Sequence, residues 1–362
     1  MNLTNTLSRY FAGKFVGAAV AVFMGVFVLV VLVDYIEMTR KTTGINASSW
    51  LIVQTSLFRV PQLLERLMPF CVLVAAMSCY LNLSRRLELV VARSAGISAW
   101  QFLYPALASA VAIGALATTI YNPVSANLQE QAQQNEVQLF GDRTQMMMDA
   151  QGFWFNQATS EGQTIINAAH SQRRGELLSG LTVFRFDPSG RFSERIEARE
   201  ATLENGYWLF KNVRRHTFNE PVKIEDSYRL ATSLTADQVR GNFANPEAVS
   251  FWELPEYITA SENSGLSTAG YRLQYQKLLS RPFLFAAMVL LASAVSLRFF
   301  RLGGVQKMVL SGIAAGFLLY VLSKVTEDLS KAELMHPIAA AWLPVVVGSF
   351  AGVLALLHQE DG

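Results

Sequence analysis

The sequence predicts a polytopic α-helical membrane protein, with six transmembrane helices split three and three around an inserted all-β domain. Three observations lead there. Only 16% of the 362 residues are charged and 51% are hydrophobic, whereas an ordinary soluble domain carries roughly 25% charge. The charge is unevenly spread: residues 127–276 hold 19 acidic and 14 basic residues, and the other 212 hold only 9 and 16. Six apolar runs each approach the roughly 20 residues needed to cross a hydrocarbon layer. The net charge of +2 therefore hides an acidic, water-compatible segment inside a basic, sparsely charged remainder. The division predicted is 1–126 for spans one to three, 127–276 for the inserted domain and 277–362 for spans four to six.

The first run, about 14–34, is too long for a signal-peptide core. Asp34-Tyr35-Ile36-Glu37 stands where a small-residue cleavage pattern would be needed, so the run reads as a retained span. The second, 64–84, contains Pro69 and extends back toward Trp50 as a longer helix interrupted by Pro61. The third, 100–121, ends at Asn122-Pro123, yet helical periodicity resumes over 125–139, as in a helix that outruns the bilayer. Spans four, five and six cover 282–300, 305–324 and 338–357. Pro344 in the last is tolerable where neighbouring helices satisfy the freed carbonyl. Cys71 and Cys79 sit eight residues apart on one helix, about 12 Å. That is beyond disulfide reach, and both read as small apolar fillers.

Orientation follows from lysine and arginine in the connections. One side carries Arg9, Lys14, Arg85, Arg86, Arg93, Arg298, Arg301 and Lys307; the other carries Arg40, Lys41, Arg59, Lys324 and Lys331. The denser side is placed in the cytoplasm, with both termini, and the inserted domain on the far side. Gly303-Gly304 reads as the tight turn between spans four and five.

After Gly141 the hydrophobic period changes. Gly152-Phe153-Trp154-Phe155, 164–166, 181–186 and 207–210 read as short strands, with further strands at 195–203, 211–218 and 228–235. Asp187-Pro188-Ser189-Gly190 and Glu204-Asn205-Gly206 read as turns. This spacing predicts an antiparallel sandwich or open barrel, with Trp154 and Trp208 as core anchors. Asn245-Pro246-Glu247 ends the strand pattern, 251–258 is a short amphipathic stretch, 263–270 reads as a loop, and 271–281 leads helically into span four.

Several chemistries lack their residues. No GxxxxGK[ST] loop is present, so the chain holds no nucleotide-hydrolysing site of that kind. His170, His216, His336 and His358 show no metal-ligand spacing, and neither HExxH nor GxSxG occurs. Within the spans no series of ionisable residues suggests a proton or ion relay. Energy for any transport would come from a partner.

Three segments carry positive information. The second connection, 84–98, places Leu87, Val90 and Val91 in an apolar stripe, with Arg85 and Glu88 on another part of the surface and Gly96 at the expected helix end. Such a short helix needs a surface to lie on, either lipid or a soluble partner that Glu88 could meet. At the outer end of span one, Asp34, Glu37, Arg40 and Lys41 leave two readings open: interfacial anchoring, or contact with the phosphates of an anionic amphiphile. Arg59, Glu65 and Arg66 stand near the same level on span two. In span five, Gly312 and Gly316 permit close helix approach, as an internal contact or a subunit seam. Glu327 and Asp328, with Lys324 and Lys331 a turn away, read as solvated ion pairs.

The residues that carry a resemblance are Leu7-Ser8-Arg9-Tyr10, Val33-Asp34 with Arg40-Lys41, Arg86-Leu87-Glu88-Leu89-Val90-Val91 with Ser94-Ala95-Gly96, and Gly152-Phe153-Trp154. Gly270-Tyr271-Arg272-Leu273 and Gly316, Phe317, Tyr320 and Val321 extend it. Over essentially its whole length the chain resembles the LptF/LptG permease family, the LptG side more closely. The resemblance implies a periplasmic β-jellyroll and a multi-pass protein of the bacterial inner membrane, outer-membrane biogenesis being its context. It implies pairing with an LptF-like second permease, two LptB-like ATPase subunits that use ATP and Mg, and LptC-like and LptA-like bridge proteins. Lipopolysaccharide would be the cargo. No cofactor on this chain and no nucleic acid is implied. Arg85, Arg86, Leu87, Glu88, Leu89, Val91 and Gly96 would form the coupling helix to the ATPase. Asp34, Arg40, Lys41, Arg59 and Arg66 would meet lipopolysaccharide. One departure is that 29–33 lacks a lysine found in relatives just before the Val-Asp pair, so individual phosphate contacts would differ. The LptF half of the same complex and a non-transporting membrane scaffold are the alternatives.

Overall fold

The computed structural model describes residues 3–43, 48–96, 98–140, 153–159, 162–172, 177–187, 191–204, 206–217, 221–232, 246–263, 268–302 and 305–360. The expected turn glycines Gly303 and Gly304 lie outside them, as do Gly141, Gly152, 188–190, Asn205, 218, 233–235, Asn245 and 264–267.

Helix α1 is Leu3–Lys41 and α2 is Ser49–Arg85, with Pro61 and Pro69 inside it. A short α3, Glu88–Ser94, follows, and then α4, Ala99–Leu116. One π turn, Ala117–Tyr121, joins α4 to α5, Asn122–Phe140. Asn122-Pro123 therefore does not end the third helix. The π turn shifts the hydrogen-bond ladder where proline removes a donor, and the helix runs on. Beyond the β-domain come a 3₁₀ turn, Pro246–Ala248, then α6, Leu254–Asn263, α7, Ala269–Leu302, α8, Val305–Lys331, and α9, Pro337–Glu360. Among the described residues six helices are long and apolar enough to cross a membrane. They alternate in direction, so the α2–α4 connection and the β-domain leave opposite ends of the bundle, the hairpin end and the domain end below.

Glycines set how closely the helices cross. A Cβ at Gly114 would stand 2.5 Å from Pro282 Cα, and one at Gly316 would stand 2.8 Å from Leu73 Cδ2. Gly312 lies against Met77 in the same way. The Gly312–Gly316 pair is thus an internal seam between α8 and α2, the choice that sequence left open. Cys71 and Cys79 are free and buried, as fillers should be.

Among the described residues the inserted domain holds a six-stranded antiparallel sheet of sequential neighbours: β1, Phe153–Thr159; β2, Gly162–Gln172; β3, Leu177–Phe186; β4, Phe192–Glu204; β5, Tyr207–Thr217; and β6, Lys223–Ala231. The two strands expected at 207–210 and 211–218 are one. Asn212 adopts φ 55°, a conformation asparagine tolerates better than most residues, and the strand continues through it.

Asn212 belongs to a crease. The row Ala169, Gly180, Arg199, Asn212 and Asp226 is left unpaired in four successive ladders, while the rows on both sides keep register. Gly180 is also left-handed, φ 66°. Burial switches phase there: Leu178 before the crease and Leu181 and Val183 after it in β3, Ala198 then Ala201 in β4, Phe210 then Val213 in β5. One creased sheet thereby brings two flanks onto a single core that includes Trp208, Phe210, Ile166, Ile196 and Leu230. Trp208 is fully buried, as expected of an anchor; the side chain of Trp154 is outside the described set.

Toward one end of the sheet, buried Glu194 accepts hydrogen bonds from Arg185 (2.8 Å) and Arg215 (2.8 and 3.0 Å). Arg215 also reaches Glu225 at 3.2 Å and lies 4.8 Å over the ring of Tyr228. Burial works against the Arg215 charge, but the hydrogen bonds and charge of Glu194 outweigh it and hold the guanidinium above its ordinary pKa.

Candidate functional site

At the hairpin end, α2 stops at Arg85 and the chain turns through Leu87, which takes φ 61°. Seven residues of helix follow, and Gly96 at φ 81° closes them. Leu89 and Ala92 point into the bundle, and Leu89 joins its main core. Leu87, Val90 and Val91 face outward at 58%, 45% and 65% exposure, and Arg85, Arg86 and Arg93 are exposed beside them. The expected amphipathic helix is therefore turned so that its apolar stripe is uncovered by this chain, while Leu89, which the resemblance places among the coupling residues, anchors it. Glu88 accepts a hydrogen bond from Tyr10 of α1 at 3.0 Å. That carboxylate also ties the hairpin to the first helix.

At the domain end, the basic residues of the sequence reading separate. Lys41 pairs with Glu37 at 2.6 Å and Arg40 is exposed. Arg59 lies 3.3 Å from Glu136 on α5 and 3.9 Å from buried Asp34, and donates to the Met38 sulfur at 2.9 Å. Arg66, two turns further along α2, turns elsewhere and pairs with Glu247 at 2.7 Å.

Glu65 is not a surface partner for either arginine. It is buried and pairs with Arg281 of α7 at 2.6 Å. Asn122 and Ser125 donate to its two oxygens at 2.9 Å each. Asn122 in turn accepts the Phe251 amide at 2.8 Å, and Thr118 donates to the Leu278 carbonyl at 2.9 Å. One carboxylate thus fastens α2, α5 and α7, and through Asn122 the segment entering from the β-domain. Sequence reads no ionisable series of a relay kind in the spans, but it does not foresee single carboxylates buried in the bundle. Asp34, Glu65, Glu136 and Glu327 are all buried, but paired rather than strung into a relay.

Glu327 is the second correction. Sequence reads it as a solvated local pair, but it is buried. It receives Lys277 of α7 at 2.9 Å as well as Lys331 (2.6 Å) and Lys324 (3.5 Å) of its own helix. These groups line a crevice of about 590 Å³ between α2, α7, α8 and α9. Its domain end presents Arg66, Lys277, Arg281, Lys324 and Lys331 against Glu65, Glu247 and Glu327. Its deeper part is Phe70, Leu284, Met288 and Pro344. Sequence reasoning missed Arg281, Lys277, Glu136 and Glu247. For Lys277 and Arg281 the available signal was their place at the edge of an apolar run, where an unpaired charge is costly; Glu136 and Glu247 stand in polar stretches that carry no such signal.

The apolar helices are unequally covered. In the most apolar stretch of α1 only 6% of residues are buried, and in α8 22%, against 61% in α2 and 56% in α7. The side chains left open include Val28, Leu29 and Leu32 on α1 and Leu310, Phe317 and Leu318 on α8. Among the described residues no group of histidine, cysteine and carboxylates is arranged to hold a metal.

Comparison with known proteins agrees with this layout. Residues 9–358 match the family described as lipopolysaccharide export system permease LptF/LptG. The chain is 23% identical over 343 residues to the lipopolysaccharide export system permease protein LptG of Escherichia coli (strain K12), covering 91% of this chain and 93% of that protein. To the LptG of Haemophilus influenzae it is 21% identical over 347 residues, covering 94% and 95%. Six membrane helices, a β-domain inserted between the third and fourth, and a match spanning both halves place the chain in the LptF/LptG family of lipopolysaccharide export permeases.

Proposed function

We propose that this chain is the LptG-type half of an ATP-driven exporter, one that takes lipopolysaccharide from the outer leaflet of the inner membrane and passes it to a periplasmic bridge. The observation that carries the reading is α3, a helix fixed to the bundle by Leu89 and Ala92 that presents Leu87, Val90 and Val91 to the outside. An uncovered apolar patch ringed by arginines suits docking into a groove on a soluble ATPase, two LptB-like copies serving the pair of permeases. ATP and Mg would be held there and not by this chain. The uncovered faces of α1 and α8 suit an LptF-like second permease, with the lipid held between the two halves. Acyl chains rest against apolar helices at little cost, while phosphates need cations or water. Arg40 and Lys41, exposed at the domain end of α1, are the rim residues this reading assigns to the head group. Arg59, held by Asp34 and Glu136, serves more as a brace. Both termini would be cytoplasmic and the β-domain periplasmic, where LptC-like and LptA-like proteins would receive the cargo.

The test is reconstitution with an LptB-like ATPase and an LptF-like permease. Val91→Asp should abolish co-purification of the ATPase and its lipopolysaccharide-stimulated turnover while the chain remains folded. Unchanged turnover would remove the docking assignment. Replacement of LptG, and not of LptF, in depletion strains would fix which half it is.

A further inference from the structure

The strap that enters the bundle from the β-domain carries one carboxylate into the cationic crevice. Glu247 sits in the 3₁₀ turn Pro246–Ala248. Behind it the strap is well seated: Val249 and Leu254 are buried with Tyr271 and Leu278, and Phe251 stacks on Tyr275 at 5.4 Å. Ahead of that anchor, Glu247 reaches Arg66 of α2 at 2.7 Å and Lys331 of α8 at 3.8 Å, while Gln62 donates to its backbone carbonyl at 3.2 Å. It therefore bridges the two helices across the mouth of the crevice.

The three carboxylates there differ in kind. Glu65 and Arg281 have side chains only 7% and 14% exposed, and Asn122 and Ser125 hold the remaining lone pairs. Glu327 belongs to α8 and is shared by three lysines. Glu247 alone of the three comes from the strap, and its partners Arg66 and Lys331 are 59% and 47% exposed. Glu247 itself is 24% exposed, but ion pairs whose cations stand this far in solvent are weak and readily exchanged. A phosphate offers several charged acceptors to the same cations and binds them more strongly than a lone carboxylate. The crevice continues inward as an apolar pocket of Phe70, Leu284, Met288 and Pro344, which suits the hydrocarbon attached to such a head.

Building on the transport reading, we infer that Glu247 is an internal stand-in for the anionic head group of an amphiphile. It occupies the Arg66–Lys331 site until a phosphate-bearing lipid displaces it. Displacement releases the Glu247 side chain from α2 and α8 together and leaves the strap tip held to α2 only by the Gln62 hydrogen bond, so occupancy of the crevice is felt by the chain that leads to the β-domain.

The experiment measures binding to the full-length chain in zwitterionic nanodiscs, with dodecyl phosphate, inorganic phosphate and uncharged dodecyl maltoside as probes. Glu247→Gln should bind dodecyl phosphate about fivefold more tightly than the unaltered chain, the gain expected from removing one half-buried competing carboxylate whose cations are exposed. Arg66→Gln should bind it several-fold more weakly, and dodecyl maltoside should be indifferent to both. Unchanged or weaker binding by Glu247→Gln overturns the inference. Inorganic phosphate binding as tightly as dodecyl phosphate overturns its lipid part and makes the site one for free phosphate. A second measurement leaves Glu247 intact. With Cys71 and Cys79 exchanged for alanine, spin labels at Ala248→Cys, in the strap tip itself, and Leu334→Cys should report a changed distance on saturation with dodecyl phosphate. An unmoved strap overturns displacement. Both results are separable from the transport reading, which fails only if the ATPase and lipopolysaccharide assays of the assembled complex fail.

Discussion

Helices α2 and α7 differ from α1 and α8 in what their apolar residues meet. The first pair is more than half buried along its apolar stretch and is fastened by Glu65 and Arg281; the second pair leaves most of that stretch uncovered. The glycines show which crossings are close. Gly114 lies against Pro282 of α7 and Gly316 against Leu73 of α2, while Gly13, Gly17 and Gly25 of α1 have nothing within 4 Å of an added Cβ. Hydropathy does not foretell this, since the helix with the most apolar window, α1, is the least buried within its own chain. In lipid an apolar surface carries no penalty for remaining uncovered. Burial is decided by small residues and polar fastenings, and what stays open is available to lipid or to a second subunit.

The largest effect should come from breaking the fastening. Glu65→Ala strands Arg281 in the bundle and should cost about 3–5 kcal/mol, seen as loss of monodisperse protein in detergent or a large drop in Tm. The double change Glu65→Gln with Arg281→Met should recover much of it, and no recovery would mean that Asn122 and Ser125 require the charge. In the β-domain, Glu194→Ala removes the acceptor of Arg185 and Arg215 and should cost about 2–4 kcal/mol, read as earlier unfolding of the β signal in circular dichroism. A milder contrast uses one methyl group at two places. Gly114→Ala should destabilise by about 1–3 kcal/mol because backbone atoms of α7 must move. Gly17→Ala should be neutral or stabilise by up to about 1 kcal/mol, and equal shifts in Tm would break the distinction between the two helix pairs. The smallest change in stability is expected for Val91→Asp on α3, within about 0.5 kcal/mol, although it should abolish ATPase docking.

Spans, turns and strands were legible to different degrees. The six membrane helices were plain because each run of about 20 apolar residues is a local property. Most strands of the β-domain were visible through their alternation, but 207–210 and 211–218 read as two strands, and nothing local marked Asn212. Only its neighbours across the sheet, Arg199 and Asp226, show that it lies on a crease that β5 passes through. The α3 hairpin was readable from Gly96 and the Leu87, Val90, Val91 stripe. That Leu89 would anchor and Glu88 would accept from Tyr10 depended on α1 lying alongside. Arg59 and Arg66, grouped by closeness in sequence, separate because seven residues of α2 set them about 10 Å apart along the helix, one level with α1 and α5 and the other with the strap.

The sequence by itself determined what must avoid water and what can bear it: six helices, one β-domain and a basic side. Those follow from composition and period within short windows. Only the tertiary structure decided which charges meet, because Glu65 and Arg281 are 216 residues apart in the chain and Glu247 reaches two helices that local pattern cannot connect. An ion pair depends on distance in space, and along this chain that distance is set by how the helices cross.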